Sequence, residues 1–130
     1  MTLLIDTSAF SAYGRGSDPR LVQWFKPEHQ LMMPLLVIGE LRAGFAAGNK
    51  KSENEKLLQL FLDAPSVNTL TISDATTKIY ADLFSKLRQA GTPIGTNDMW
   101  IASLALEHQL QLLTLDADFD NVPDLLLAHL

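Results

Sequence analysis

Apolar residues along this chain switch between a strand-like and a helix-like spacing, and the switching predicts its elements. Thr2 to Ile5 is a short apolar run of strand type that ends at Asp6-Thr-Ser, a trio able to cap a following helix. Gly14-Arg-Gly-Ser-Asp-Pro breaks the chain, after which Leu21, Val22 and Phe25 fit one helical face. Gln30 to Met33 reads as a second strand, closed by Pro34. A strongly apolar helix follows from about Leu35 to Ala47, with Gly48-Asn as its stop. Ser52-Glu-Asn-Glu has capping-box spacing and opens a helix with Leu57, Leu58, Phe61 and Leu62 as its buried stripe, ending near Ala64-Pro65. Val67 to Ile72 is the third strand, and Ser73-Asp starts a helix carrying Ile79, Tyr80, Leu83, Phe84 and Leu87. Beyond the loop Gly91-Thr-Pro-Ile-Gly, Thr96-Asn-Asp opens a helix that turns Trp100, Ile101, Leu104 and Ala105 inward. Gln111 to Leu115 is the fourth strand, and Asp116 to Asp120 its exit loop. Short apolar strands alternating with longer helices predict an α/β fold with a mostly parallel sheet flanked by helices.

Composition adds limits to that picture. At 130 residues the chain is expected to be one domain, residues 1–130, with a core large enough to fold unaided. Apolar residues make up 47% and charged residues 19%, which excludes intrinsic disorder. The absence of cysteine removes disulfides, thiolate-bound zinc, iron–sulfur clusters and thiol catalysis, and suits a reducing compartment. The run Met1-Thr-Leu-Leu-Ile meets Asp6 far short of a signal-peptide core. The longest apolar stretch is interrupted by Glu40 and Arg42. No membrane segment and a cytoplasmic location are therefore expected.

Charge is uneven in a way that the total of −5 conceals. Residues 1–88 hold all 10 Lys and Arg and nine acids, a balance of +1. Residues 89–130 hold Asp98, Glu107, Asp116, Asp118, Asp120 and Asp124 and no Lys or Arg, a balance of −6. A solubilising surface accounts for such a tail, and so does a group of carboxylates converging on a cation. Four acids favour convergence by their positions. Asp6 and Asp116 stand at the carboxyl ends of predicted strands, where open α/β sheets form their sites. Asp98 continues the apolar stripe of Ile101 and Ala102. Glu40 has Leu36, Val37, Ala43 and Gly44 as helical neighbours, so a charge sits on an apolar face.

Each of these acids has a structural alternative. Asp6 serves as a helix cap, Asp98 as a partner of a helix dipole, Asp116 as an Asx turn and Glu40 as half of a buried ion pair. Their joint occurrence is harder to explain that way, because carboxylates gathered without paired bases repel and are costly to bury. Mg²⁺ or Mn²⁺ explains an all-oxygen cluster of this kind. Such ions activate water and stabilise an in-line phosphoryl displacement, and they let an acidic protein engage a polyanion.

The same residues carry a resemblance. Leu4-Ile-Asp6-Thr-Ser, then Glu40-Leu, then Asn97-Asp98 with Ile101-Ala102, and finally Thr114-Leu-Asp116-Ala-Asp118-Phe119 resemble, in order and spacing over the whole chain, the PIN-domain nucleases. At this length the chain is most similar to VapC-type toxins of bacterial toxin–antitoxin pairs. The resemblance implies a PIN-like fold and a Mg²⁺- or Mn²⁺-dependent endoribonuclease that acts on RNA, forms a homodimer and is inhibited by a cognate antitoxin. Asp6, Glu40 and Asp98 match the family's three firm acidic positions, and Asp116 its more variable fourth. These four are the implied catalytic residues, and together with Asp118 they are the implied metal ligands. Thr7, Ser8, Asn97 and Thr114 would orient those carboxylates or water. Arg15, Arg20, Arg42, Lys50, Lys51 and Lys56 are solvated surface in the main, with phosphate contact as the alternative.

Two other readings compete. A phospho-receiver domain shares the length and acidity, but it wants a lysine after its last strands, and none follows Lys86. A PIN-like module that binds RNA or protein without cutting is the alternative from another class, and four filled acidic positions count against it.

Overall fold

A computed structural model describes residues 1–130, and it carries a four-stranded, entirely parallel sheet flanked by five helices. The strands are β1 (Thr2–Ile5), β2 (Gln30–Pro34), β3 (Val67–Leu70) and β4 (Gln111–Leu113). The helices are α1 (Thr7–Arg15), α2 (Leu35–Ala47), α3 (Lys51–Leu62), α4 (Asp74–Ala90) and α5 (Thr96–His108). Strand order is β3-β2-β1-β4. The chain steps outward from β1 to β2 to β3, then returns to add β4 on the other side of β1. This makes the β1/β4 seam the point where the winding reverses, and sites in open α/β sheets form there.

Burial follows from this topology. Leu3, Leu4 and Ile5 of β1 are all fully buried, because a central parallel strand is covered on both faces. They belong to a core that also takes Leu31 and Met33 from β2, Leu112 and Leu113 from β4, and Ile101, Leu104 and Ala105 from α5. Register aligns Leu3 with Gln111, Leu4 with Leu112 and Ile5 with Leu113, so the next pair along the seam is Asp6 and Thr114. Outside β4, Leu112 donates its amide to Leu126 and accepts from Ala128, so the C-terminal segment covers an edge that would otherwise be open.

Several local expectations change. The capping box expected at Ser52 does not form: α3 begins one residue earlier, after Lys50, without a side-chain cap. A box forms instead at Ser73 and Thr76, where the Thr76 hydroxyl takes the reciprocal role expected of a Glu or Gln. Leu57 and Phe84 point to solvent and not into the core, as does Val22. The Leu21 segment is a 3-10 turn, Pro19–Trp24, too short to bury more than Leu21. The third strand stops at Leu70 and the fourth at Leu113, each two residues early. At the fourth, Leu115 and Asp116 turn their amides to the Ser8 and Thr114 hydroxyls instead of a neighbouring strand. The expected exit loop is a 3-10 turn, Ala117–Asn121, capped by Asp116. Gly16 (φ 66°) and Gly91 (φ 73°) end α1 and α4 in the left-handed region that favours glycine. No helix is long and apolar enough to cross a membrane.

Candidate active site

Asp6 is the first residue beyond β1, and its position between strand and helix explains its burial. It caps α1: Oδ1 accepts from the Ala9 amide at 2.9 Å and from the Ser8 hydroxyl at 2.8 Å. Its other oxygen accepts from the Thr114 hydroxyl across the β1/β4 seam. Only 3% of Asp6 is exposed. Burial pushes its carboxyl above the usual value, the Thr114, Ala9 and Ser8 donors pull it back, and the charge of Asp116 adds to the rise.

Thr114 and Ser8 form the hinge of the site. The Thr114 hydroxyl donates to Asp6 and accepts from the Asp116 amide at 2.9 Å, which fixes the turn that carries the later acids. The Ser8 hydroxyl donates to Asp6 and accepts from the Leu115 amide at 3.0 Å. Asp116 then accepts from the Asp118 amide at 2.9 Å and caps its 3-10 turn. On the other side, Thr7 donates to Glu40 Oε1 at 3.0 Å and joins α1 to α2. Glu40 is thus partly buried against a hydroxyl, not against an arginine.

Asp98 stands in the first turn of α5, after Gly95. Burial, and after it the charges of Asp116, Glu40, Asp6 and Asp118 in that order of effect, together raise its carboxyl to about 6. Carboxylate oxygens of Asp98, Asp116 and Asp118 lie within 4.8 Å of one another. A cleft of about 420 Å³ at the carboxyl edge of the sheet is lined by Asp6, Glu40, Asp98 and Asp116, together with Thr7, Ser8, Ser11 and Arg15.

The structure therefore brings Asp6, Glu40, Asp98 and Asp116 to one cleft, with Asp118 exposed beside Asp98 and Asp116. Thr7, Ser8 and Thr114 bond to members of the set. Asn97 is exposed and does not line the cleft. Of the remaining C-terminal acids, Glu107 accepts from Ser73 and Thr76 at the start of α4, and Asp120 and Asp124 are exposed. Sequence reasoning missed Ser11 and set Arg15 among solvated residues. Both are legible as a stripe, since Thr7, Ser11 and Arg15 follow at i, i+4 and i+8 on α1.

The chain is also similar to known proteins. The model of the PIN domain family matches residues 3–125. Ribonuclease VapC4 of Mycobacterium tuberculosis is 33% identical over 90 residues, 69% of this chain and 69% of that protein. Ribonuclease VapC1 of Rickettsia felis is 33% identical over 129 residues, 96% of this chain and 93% of that protein. Among solved structures, VapBC2 from Rickettsia felis bound to a DNA fragment from its promoter superposes with a TM-score of 0.86 at 25% identity, covering 98% of each chain. With a family match over nearly its whole length and a third of its residues shared with VapC proteins, this chain belongs to the PIN-domain family, in its VapC branch.

Proposed function

We propose that this chain is a divalent-metal-dependent endoribonuclease, the toxin of a toxin–antitoxin pair acting in the cytoplasm. The observation that carries the reading is the group of Asp98, Asp116 and Asp118 oxygens within 4.8 Å, beside Asp6 and Glu40, in a chain related to proteins named ribonucleases. The donor set suits Mg²⁺ or Mn²⁺: it is all carboxylate oxygen, with no thiol or imidazole. No base within the chain neutralises it, since Arg15, the one cation lining the cleft, takes part in none of the four ion pairs.

Asp6, Glu40, Asp98 and Asp116, with Asp118, are the residues we assign to hold metal and position the reacting phosphodiester. The ion, when bound, lowers the pKa of a water and stabilises charge on the phosphate oxygens. The chain's own part is orientation. Three donors clamp Asp6 in one rotamer, and the Thr7 hydroxyl holds Glu40 toward the cleft. Ser8 and Thr114 tie the start of α1 to the turn bearing Asp116, so both sides of the seam keep a fixed separation. The partners that go with this reading are RNA as substrate, a cognate antitoxin and a second copy of the chain. Induced expression in bacteria tests it: growth should arrest, and co-expression of a cognate antitoxin should restore it. Growth arrest by Asp98→Asn as strong as by wild type contradicts the reading.

A further inference from the structure

The Thr7–Ser11–Arg15 stripe of α1 does not end at the acidic cleft. It continues into a groove of about 330 Å³ between α1, α2 and α3. Thr7, Ser11, Arg15 and Glu40 line both spaces, so the two are continuous. Their character changes along the path. The cleft is acidic, whereas the groove is lined by Phe10, Leu41, Phe45 and Leu57, with Asn54 among its polar members. Arg15 stands at the junction, exposed and outside every ion pair of the chain, and no other basic side chain lines either space. Gly44 and Gly14 form parts of the walls. A Cβ at either meets no atom within 4 Å, so the width of the groove depends on side chains that are missing there.

We propose that this groove is a nucleotide subsite: the base next to the scissile phosphate lies against Phe10, Leu41 and Phe45, and Arg15, at the junction of groove and cleft, pairs with the scissile phosphate itself. The inference rests on the nuclease reading of the adjoining cleft. An unstacked base has flat apolar faces and a polar edge, which match the apolar lining and the Asn54 amide, a group that both donates and accepts. A base stacked in a duplex does not enter a recessed groove, so the RNA is single-stranded at this position. A phosphate arriving beside four carboxylates needs a cation, and the fork of donors on Arg15 supplies one at the junction.

Gly44→Leu tests the subsite. It fills the groove from the α2 wall and replaces a helical glycine with a stronger helix former, so its melting temperature should equal or exceed that of wild type. Gly14→Leu, filling from α1, is an independent second probe. Two substrates are compared with Mn²⁺ present: a single-stranded ribo-oligonucleotide, and bis(p-nitrophenyl) phosphate, a diester without a base. Loss of base contact should lower the ratio of kcat/KM for RNA over the base-free ester by about tenfold, through KM, and redistribute the cleavage sites. Arg15→Gln should flatten the salt dependence of RNA cleavage by about one counterion. A ratio within twofold of wild type in both glycine variants overturns the subsite alone, including the case in which those variants weaken binding of a partner protein. Wild-type protein that cleaves neither substrate removes the nuclease reading and the subsite with it.

Discussion

Replacing Asp98 by Asn removes one charge from the cluster and nearly nothing of its shape, so it isolates the electrostatic cost of the metal-free site. The Asp98 carboxyl has an ordinary value of 3.8 and reaches about 6 in the fold, driven by burial and by four neighbouring carboxylates. A carboxyl raised in the folded state is ionised there against resistance. The penalty is absent below pH 4, grows between the two values and is complete above about 6. Taken at face value that difference is an upper bound of about 3 kcal/mol. The side chain is partly open to water, and screening reduces the figure to roughly 1.5 kcal/mol. Asn also loses the favourable dipole of α5, worth about 0.5 kcal/mol. The net expectation at pH 7.5 in EDTA is a variant more stable than wild type by about 1 kcal/mol, or roughly 3–5 °C in Tm for a chain of this size. At pH 4 wild type should match or slightly exceed it. Paired thermal melts from pH 4 to 8 measure this directly. A difference that does not change with pH, or a variant that is the less stable at pH 7.5, would refute the reasoning.

Thr114→Val keeps the shape but deletes a donor to Asp6 and an acceptor for the Asp116 amide. Chemical denaturation should register a loss of about 1–3 kcal/mol, and RNA cleavage should fall with it. Thr7→Val frees Glu40 with less structural consequence, because the pair is only partly buried; the melt should move by less than about 1 kcal/mol while the cleavage rate drops. Asp116→Asn should cost more activity than Asp118→Asn, since Asp116 lines the cleft and caps its turn whereas Asp118 is exposed; single-turnover assays giving equal losses or the reverse order would reassign the fourth acid. Mn²⁺ at 100 times its dissociation constant should stabilise wild type by about 2.7 kcal/mol and Asp98→Asn by much less, read as a shift in Tm.

The parallel sheet and the meeting of Asp6, Glu40, Asp98 and Asp116 were legible because each acid broke a local rule. Two charges stood at ends of apolar strands, and two interrupted apolar helical stripes. Breaks of this kind carry tertiary information in a single residue. Features that depend on which neighbour arrives were not legible. Ser52 has the letters of a capping box, but the helix starts before it, whereas Ser73 forms one with a Thr that no motif names. Leu57 fits a helical stripe and yet faces the groove and solvent, since the stripe of α3 is wider than the surface that covers it. The pairing of residues 126–128 beside β4 has no periodic signature at all, because one bridge and two hydrogen bonds are enough to cover an edge. Arg15 looked like one cation among ten, and only the course of α1 past the cleft distinguishes it.

Whether these carboxylates act by holding a divalent cation for RNA cleavage is tested most directly by single-turnover cleavage of a labelled single-stranded RNA, followed across a Mn²⁺ titration with wild type and Asp98→Asn. The wild-type rate should rise and saturate with Mn²⁺, vanish in EDTA and fall by orders of magnitude in the variant. Cleavage that persists undiminished in EDTA, or a variant as fast as wild type at every Mn²⁺ concentration, would contradict that role.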